Sequence, residues 1–540
     1  MTTYQDQLAY SAGKYRIDDH IVPKPYNHFL PGDTVKYYFD LNGKIIITKI
    51  VNRKEQITLG IIGQNKIHYP LLPEYFKQWI PNNYEKGTRC QIHIKYNELK
   101  IIKIYKNISD RSCDTEILKE IYLSAYNDPS DELKSIIHNL NTITSNQHQS
   151  DHLDQTDLYT FNIDPQHSKD LDDAISIDMN QQKVYVHIVD IHSQLELRSP
   201  EDIRALCLAF TLYLPSAVEN ILSSELAENR LSLIKGEPRK VITVEFDISD
   251  TEPPKCVSVY PSIIKIKERY DYNNVLEPLI TDSRLMWLYS ISEPYFRSTL
   301  NLPTVKFHLR DESITGVTQS LPNVANKLVE TWMIFTNSAI SELLQQAPQR
   351  HHPASLSVPA LLSGSSDVID TINILKTYKN AYYSGSETGH YGLQFEKYTH
   401  FTSPLRRYFD VIIHRMIAGT VYPTELLTKM LEHLKDREKL VDDLALLYKK
   451  WKIFSRIEGQ TSLTGKILKV MSSGVVVLLN EYLLESYIHV SKIKGKRWSY
   501  IDNSLVTDGE VINVGDNCSL RINCVNWLNS SLDLSINVDQ

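Results

Sequence analysis

The stretch FNIDPQHSKDLDDAISID, residues 161–178, sets Asp164, Asp170, Asp172 and Asp173 close together between two apolar runs. Tyr159–Ile163 leads in and Ala174–Ile177 leads out, and both have the look of buried strands. Two such strands would hold the carboxylates of the connecting loop near one another inside a domain. Like charges repel, and burying even one carboxylate costs several kcal/mol unless something pairs it. Asp is also common at N-caps and turns, so Asp164-Pro165 could simply open a solvated turn. An EF-hand calcium loop is excluded, because its central Gly and terminal Glu are missing. A hard divalent cation would offset the repulsion. Magnesium takes oxygen ligands and also binds substrate phosphates. Two such ions about 4 Å apart stabilise both the attacking and the leaving oxygens of a phosphoryl displacement. Four carboxylates with few histidines suit that chemistry better than zinc peptidase chemistry.

Just downstream, HIVDIH at 187–192 offers further metal-ligand types. Strand alternation puts Asp190 and His192 on one face and His187 on the other. One ion cannot easily take all three, and a structural role is expected for most of them.

Far along the chain, YTHFTSPLRRYFDVIIHR spans residues 398–415. Ser403-Pro404 has the chemistry of a helix start, with Ser as N-cap and Pro at the first helical position. Arg406 and Arg407 then fall in the first turn, where a cation opposes the helix dipole. A compensating anion would explain them, and bidentate Arg matches phosphate. An ordinary surface pair between Arg406 and Asp410 at i+4 explains them too, so this motif alone does not decide. Taken with the acid cluster, it implies a metal-dependent phosphodiesterase.

The rest of the chain bounds the partners. At 540 residues it is long enough for several domains. Residues 1–107 read mostly as strands. TVKYYF and KIIIT flank the hairpin signal Asn42-Gly43, and residues 90–96 return through Asn97-Glu98 into 99–105. Their Lys and Tyr side chains suit single-stranded nucleic acid, and suit an ordinary amphipathic sheet equally well. Residues 113–145 read as helices and end in a polar tract. Residues 155–425 mix strands and helices. Leu328, Trp332, Phe335, Ala339 and Leu343 share one helical face expected to be core. Residues 424–458 read as paired helices. From Gly465 the pattern is β again, with Gly474 where a strand pair must turn sharply.

Hydrophobic content is 42% and charged content 23%, as in globular chains. No apolar run approaches the roughly 20 residues of a membrane span, and no export signal is evident at the N-terminus, so export is not expected. Six scattered cysteines without a CxxC pair point to a reducing compartment. The formal net charge of −7 neither suggests nor excludes nucleic acid, since a basic channel can sit inside an acidic protein.

At this point the chain resembles the ribonuclease II / RNB exoribonucleases. IDPQHSKDLDDAISI is similar to that family's acidic signature, and VYVHIVDI to the strand after it. HYGLQFEKYTHFTSPLRRYFDVIIHR is close to its second signature, with KIKERYDYNNV, NKLVETWMIFTN and RHHP between them in the family's order. The resemblance covers about residues 110–540, and the N-terminal barrels match only in kind. It implies an α+β multidomain architecture with a central RNB catalytic α/β domain flanked by small OB-type β-barrels. The expected divisions are an N-terminal OB or cold-shock-like region at 1–110, a helical linker at 111–154, the catalytic domain at 155–425, its helical extension at 426–458, and a C-terminal OB fold of the ribosomal S-one type at 459–540. The implied activity is processive 3′-to-5′ hydrolysis of single-stranded RNA to nucleoside 5′-monophosphates with Mg2+, for which Mn2+ may substitute.

Carried over by motif, Asp164, Asp170, Asp172 and Asp173 would hold metal, with Asp172 the most critical. Arg406 would contact the scissile phosphate, Tyr272 would stack on the terminal bases, Glu330 would orient the last nucleotide, and Arg407 would bind RNA. The family's second clamp aromatic has no counterpart in register, Phe307 being nearest. The His352–His390 stretch is short, and no acidic residue stands on the helix before Trp451 where the family has one. A monomer without membrane partners is expected, in the cytoplasm or, if organelle-encoded, in a matrix or stroma. The alternatives are a catalytically weak RNA-binding adaptor of the same fold and a DNA or cyclic-nucleotide phosphodiesterase.

Overall fold

In the computed structural model, the acid stretch lies at the heart of a six-stranded sheet. Its order is Leu153–Asp154, Lys255–Asp271, Thr160–Asp164, Asp173–Asp178, Lys183–Val189, Pro238–Asp247. The 17-residue strand Lys255–Asp271 serves both edges. Its first part pairs antiparallel with Pro238–Asp247 and its last part runs parallel to Thr160–Asp164. The inner strands are near-continuous apolar runs, because both of their faces are covered. The structure describes residues 4–11, 14–17, 20–23, 29–30, 33–40, 44–64, 66–72, 84–95, 98–145, 151–249, 251–296, 302–344, 346–354, 368–494, 497–507 and 509–537. The expected turn at Asn42-Gly43 and its counterpart at Asn97 lie outside these residues. The strands on either side of them do pair as antiparallel hairpins.

Three helical segments contribute to the core that the sheet shares. Helices Asp114–Asn127 and Asp131–Asn139, separated at Asp128-Pro129, bury Ile117, Leu118, Ile121, Leu133 and Ile136 in the same core as the sheet. Helix Val324–Leu343 starts in a capping box on Asn323 and Asn326. Its buried face differs from the apolar stripe read from sequence. Leu328 and Trp332 are buried, but Phe335 and Ala339 are half-buried and Leu343 is exposed. Thr336, Asn337 and Ser341 go inward instead, each with a partner. Thr336 donates to the Trp332 carbonyl, Asn337 to Tyr398 and Ser341 to Gln349. Satisfied polar groups can occupy a core that a hydrophobicity pattern assigns elsewhere.

Residues 424–458 also differ from the expected helix pair. They form one 34-residue helix, Thr424–Ile457. No Gly or Pro interrupts its run of Leu, Lys, Glu and Arg, so nothing in it forces a turn.

The N-terminal strands form a three-stranded sheet (Tyr4–Gln7, Thr34–Phe39, Ile45–Asn52) and a four-stranded one built on Gln56–Ile62, Thr88–Lys95 and Glu98–Asn107. The C-terminal strands form a five-stranded sheet with its own core of Ile467, Val475, Val477, Ile488, Leu520 and Leu534. Gly474 starts its second strand at φ +150, and a Cβ there would lie 2.1 Å from the Ile488 carbonyl oxygen, so only glycine fits. No helix among the described residues is long and apolar enough to cross a membrane.

A buried ionic hub ties these units together. Asp114 is fully buried and receives Arg89 at 2.6 Å from the N-terminal strands and Lys452 at 3.1 Å from the long helix. Lys452 also pairs with Glu312 at 2.6 Å on the Thr304–Ser320 hairpin. Removing the shared carboxylate leaves two buried cations short of charge. Asp114→Asn should therefore destabilise the protein by about 3–5 kcal/mol, read as a lower midpoint in urea unfolding; an unchanged midpoint would show that the hub is not needed for stability.

Candidate active site

Strand Thr160–Asp164 ends on Asp164 and strand Asp173–Asp178 begins on Asp173, so the loop between them starts and finishes on carboxylates. The loop is pinned from one side. Leu171 N–H donates to the Ser232 hydroxyl, which donates to the Lys169 carbonyl, and Leu233 N–H donates to the Leu171 carbonyl. Asn162, buried beneath, donates to the Leu233 carbonyl. From the other side Arg269 donates to the Ser168 carbonyl at 2.6 Å. The backbone therefore has its partners, and the side chains are what remain uncompensated.

Burial drives the electrostatics. Asp172 is only 4% exposed, and burial pushes its carboxyl well above the usual range. The Arg406 guanidinium and the Leu405 N–H oppose that rise, while Asp170 and Asp173 add to it. Asp164 is likewise raised well above its ordinary value, first by burial and then by Asp173. Its Oδ2 is buried with no hydrogen-bond partner. Burial lifts Asp173 to about 6, with Arg406 pulling it back. A cluster whose members hold one another's protons is short of positive charge.

The positive charge that is present comes from the second basic stretch. Leu405 N–H donates to Asp172 Oδ1 at 2.8 Å, and Arg406 Nε lies 3.7 Å from Asp172 Oδ2. Arg406 is 43% exposed, so most of its donors still face solvent. The local structure differs from the expected helix start. Residues 403–407 form a turn, and the helix begins four residues later than predicted, at Tyr408. Ser403 does not cap it. The Ser403 hydroxyl accepts from Arg406 Nη2 at 2.9 Å, and its carbonyl accepts the N–H groups of Arg406 and Arg407. The pair expected between Arg406 and Asp410 forms instead between Arg407 and Asp410, at 2.6 Å and buried. Arg407 is thereby committed to Asp410, whereas Arg406 is not.

The turn is locked to a third segment. Ala209 sits at φ +63 in a γ-turn closed by Phe210 N–H to the Leu208 carbonyl. This is the rarer, strained hand of that turn. It directs the Ala209 carbonyl to Tyr408 N–H, and Thr211 N–H to the Arg406 carbonyl. Strand Leu212–Leu214 follows, and its central Tyr213, 43% exposed, donates its hydroxyl to Asp170.

Sequence reasoning missed Tyr213. The period-2 pattern Leu-Tyr-Leu, which points the tyrosine away from the core, was the available signal. Tyr272 lies one residue past Asp271, the strand neighbour of Asp164. Burial raises its hydroxyl pKa, and Asp173 and then Asp164 add to the rise, which places the hydroxyl near the acids. Asn323, the N-cap of helix Val324–Leu343, donates to the Tyr272 carbonyl at 2.6 Å. Glu330 is exposed on that helix. Phe307 packs against the C-terminal core rather than beside the acids.

The strand carrying HIVDIH, Lys183–Val189, ends before Asp190, so Asp190 and His192 are set apart from His187 by the end of the strand and not by alternation along it. His187 is buried between Thr243 and Ser176, and burial lowers it to about 3. Asp190 pairs with His152 at 3.1 Å and, with His192 and His414, lines a separate cavity of about 1400 Å³.

Among the described residues no three His, Cys, Asp or Glu side chains enclose a metal position by themselves. Magnesium does not need such a cage, since it keeps waters and binds through one or two carboxylates plus phosphate. The partnerless Asp164 oxygen and the raised carboxyls fit an oxygen-liganded dication.

The RNB domain profile matches residues 153–355 and 352–422. Ribonuclease R of Aquifex aeolicus is 23% identical over 556 residues, covering 88% of this chain and 78% of that protein. Ribonuclease R of Thermotoga maritima is 24% identical over 503 residues, covering 78% and 70%. Among solved structures, Mycoplasma genitalium RNase R in complex with ribose-methylated single-stranded RNA superposes with a TM-score of 0.77 at 19% identity, over 99% of this chain and 100% of that one. Yeast Ssd1, a pseudonuclease, superposes with a TM-score of 0.67 at 16% identity, over 91% and 79%.

If repulsion among buried carboxylates is the dominant cost here, Asp173→Asn should melt at a higher temperature than the parent in EDTA. A raised carboxyl penalises the native state only once the unfolded chain can ionise. The gain should be absent near pH 4, grow as pH rises, and be complete above about pH 7. Equal melting curves at pH 4 and pH 7.5 would refute the electrostatic account.

Proposed function

The chain belongs to the RNB-domain family, and from that premise we propose that it is a 3′-to-5′ exoribonuclease, a hydrolase of RNA degradation similar to the ribonuclease R relatives it matches. The observation that carries this reading is the meeting of the four-aspartate loop with Leu405 and Arg406, two signatures brought into contact across the chain. The same fold occurs in a pseudonuclease, so the fold alone does not decide between enzyme and adaptor. The complete set of carboxylates, left short of positive charge, favours the enzyme.

Asp164, Asp170, Asp172 and Asp173 would hold Mg2+, or Mn2+ in its place, which supplies an activated water and neutralises charge developing on the phosphate. The protein's own groups do the rest. Leu405 N–H fixes one oxygen of Asp172 and leaves the other toward the site. The exposed donors of Arg406 would clamp the scissile phosphate as a planar fork. Tyr213 and Tyr272 flank the acids, and Tyr213, the more open ring, offers the better face for a terminal base. Glu330 would orient the last nucleotide. The flanking β units, read as OB-type folds, would guide single-stranded RNA inward and favour processive release of nucleoside 5′-monophosphates.

Asp172→Asn keeps the shape of the side chain but removes a charge. It should lower single-turnover cleavage by roughly 10³-fold while RNA affinity in EDTA persists, since affinity resides in phosphate and stacking contacts elsewhere. Near-parental turnover would remove Asp172 from the site. Direction is tested with end-labelled RNA. The proposed enzyme shortens 5′-labelled RNA gradually and releases 3′ label at once; the opposite pattern, or no magnesium-dependent cleavage, would overturn the assignment in favour of an adaptor.

Arg406→Lys separates a phosphate clamp from a surface ion pair. Exposed pairs contribute only about 0.2–1 kcal/mol, so a mere pair predicts nearly unchanged cleavage and an unchanged melt. A clamp predicts a clear loss of turnover with the same melt, because Lys cannot reproduce the fork.

A further inference from the structure

We propose that Asp410 is a positioning residue for the reaction, holding the Ser403–Arg407 turn in the shape that delivers Leu405 N–H and Arg406 to Asp172. The inference rests on reading the acid cluster as the hydrolytic centre. Asp410 is fully buried in the first turn of helix Tyr408–Ile417. In a capping box such a residue would reach back to the N-cap N–H. Here it reaches past the N-cap residue, Arg407. Its Oδ2 accepts Ser403 N–H at 2.8 Å, Arg407 Nη2 at 2.6 Å and Arg407 Nε at 3.2 Å. One carboxylate oxygen thus grips both ends of the turn, and the two residues between those ends that face Asp172 are Leu405 and Arg406.

The entry to the turn is held from the same helix. One helical turn beyond Asp410, His414 Nε2 donates to the Phe401 carbonyl at 3.0 Å, and the two rings stack at 4.1 Å. The helix is itself anchored, since Tyr408 donates to Asp202 at 2.8 Å and Arg415 pairs with Asp202 at 2.8 Å. Arg407 has a reason to be arginine in this arrangement. Its Nε and Nη2 both reach Asp410, while its backbone pairs with Phe210. It closes the turn instead of touching RNA, which divides the two adjacent arginines between positioning and substrate.

The test uses the full chain, a short single-stranded RNA and three variants. Asp410→Glu keeps the charge that compensates Arg407 but moves the oxygen that holds Ser403. Single-turnover cleavage at saturating enzyme should fall about 10²-fold, the cost of a displacement near 1 Å. RNA affinity in EDTA should stay within about twofold, and the magnesium concentration for half-maximal rate should rise. The double variant Asp410→Leu with Arg407→Met removes both charges and the acceptor of Ser403 N–H together, and should show the same split if Asp410→Glu fails to fold. Arg407→Lys keeps the charge but loses the two-point grip on Asp410, so cleavage should fall, by less than in Asp410→Glu, with RNA affinity unchanged.

Parental cleavage by a folded Asp410→Glu or double variant would overturn the proposal. So would a double variant, which lacks the Arg407 charge, with weakened RNA affinity and a salt slope shallower by about 0.7, the mark of a lost phosphate contact to a single strand. Failure of the underlying reading is distinguishable, because then the parent itself, or Asp172→Asn, would already behave as a non-nuclease or as an unimpaired one.

Discussion

The hydrogen bond from Leu405 N–H to Asp172 joins residues 233 positions apart, and the organisation of the site depends on it. Asp172 is nearly inaccessible to water, so its charge must be stabilised by donors the protein provides. A backbone N–H is a fixed donor that carries no rotamer freedom, and it sets the carboxylate plane. The neighbouring Arg406 then stands beside the same carboxylate while keeping donors toward solvent. Neither segment makes a site alone. The acid loop lacks cations of its own in direct contact with Asp172, and the turn has no reason for its shape apart from what it presents.

The surrounding fold resists the repulsion that this places in its interior. The long strand Lys255–Asp271 and the short strands ending in Asp164 and beginning at Asp173 share one hydrogen-bonded sheet, so the carboxylates cannot move apart without breaking ladders. Ser232, Leu233 and Asn162 fasten the loop from below. The strained backbone at Ala209 belongs to the same economy: it aims one carbonyl at Tyr408 N–H and brings Tyr213 to Asp170. Raised carboxyls and a positive-φ alanine are costs that a purely structural core would avoid, and they cluster here within one set of contacts.

Much of this was legible in the residues. Two apolar strands around an acidic loop predicted a buried cluster, whereas the alternation expected across His187, Asp190 and His192 does not apply, because the strand ends at Val189. The failures have a common cause. Ser403-Pro404 is a good local start signal for a helix, but Asp410 and the Ala209 carbonyl claim the groups a helix would have used, and the helix begins at Tyr408. Asn337 goes inward on helix Val324–Leu343 because Tyr398 and Phe401 offer partners that no local pattern announces, while Thr336 bonds back to the Trp332 carbonyl of its own helix. Tyr213 is invisible as a site residue for the same reason, since its meaning lies in Asp170, 43 positions away. Local propensity describes what a segment does alone, and functional segments are those in which tertiary partners override it.

The two buried charge systems of this protein show how differently ionic groups can be used. Around Asp114 each charge meets an opposite one, with Arg89, Lys452 and Glu312 in alternating sign, and the hub sits where the N-terminal strands, linker helix, hairpin and long helix converge. Around Asp172 four carboxylates face one directly apposed guanidinium, itself partly exposed. The first arrangement is electrostatically closed and fits a fastening role. The second is open by construction, with a partnerless oxygen on Asp164 and free donors on Arg406. An open site of this kind binds best what carries both missing signs, a dication for the carboxylates and a phosphate for the arginine. On the proposed reading a metal-bound phosphodiester would bring the two together, and the imbalance of charge would be the feature that selects it.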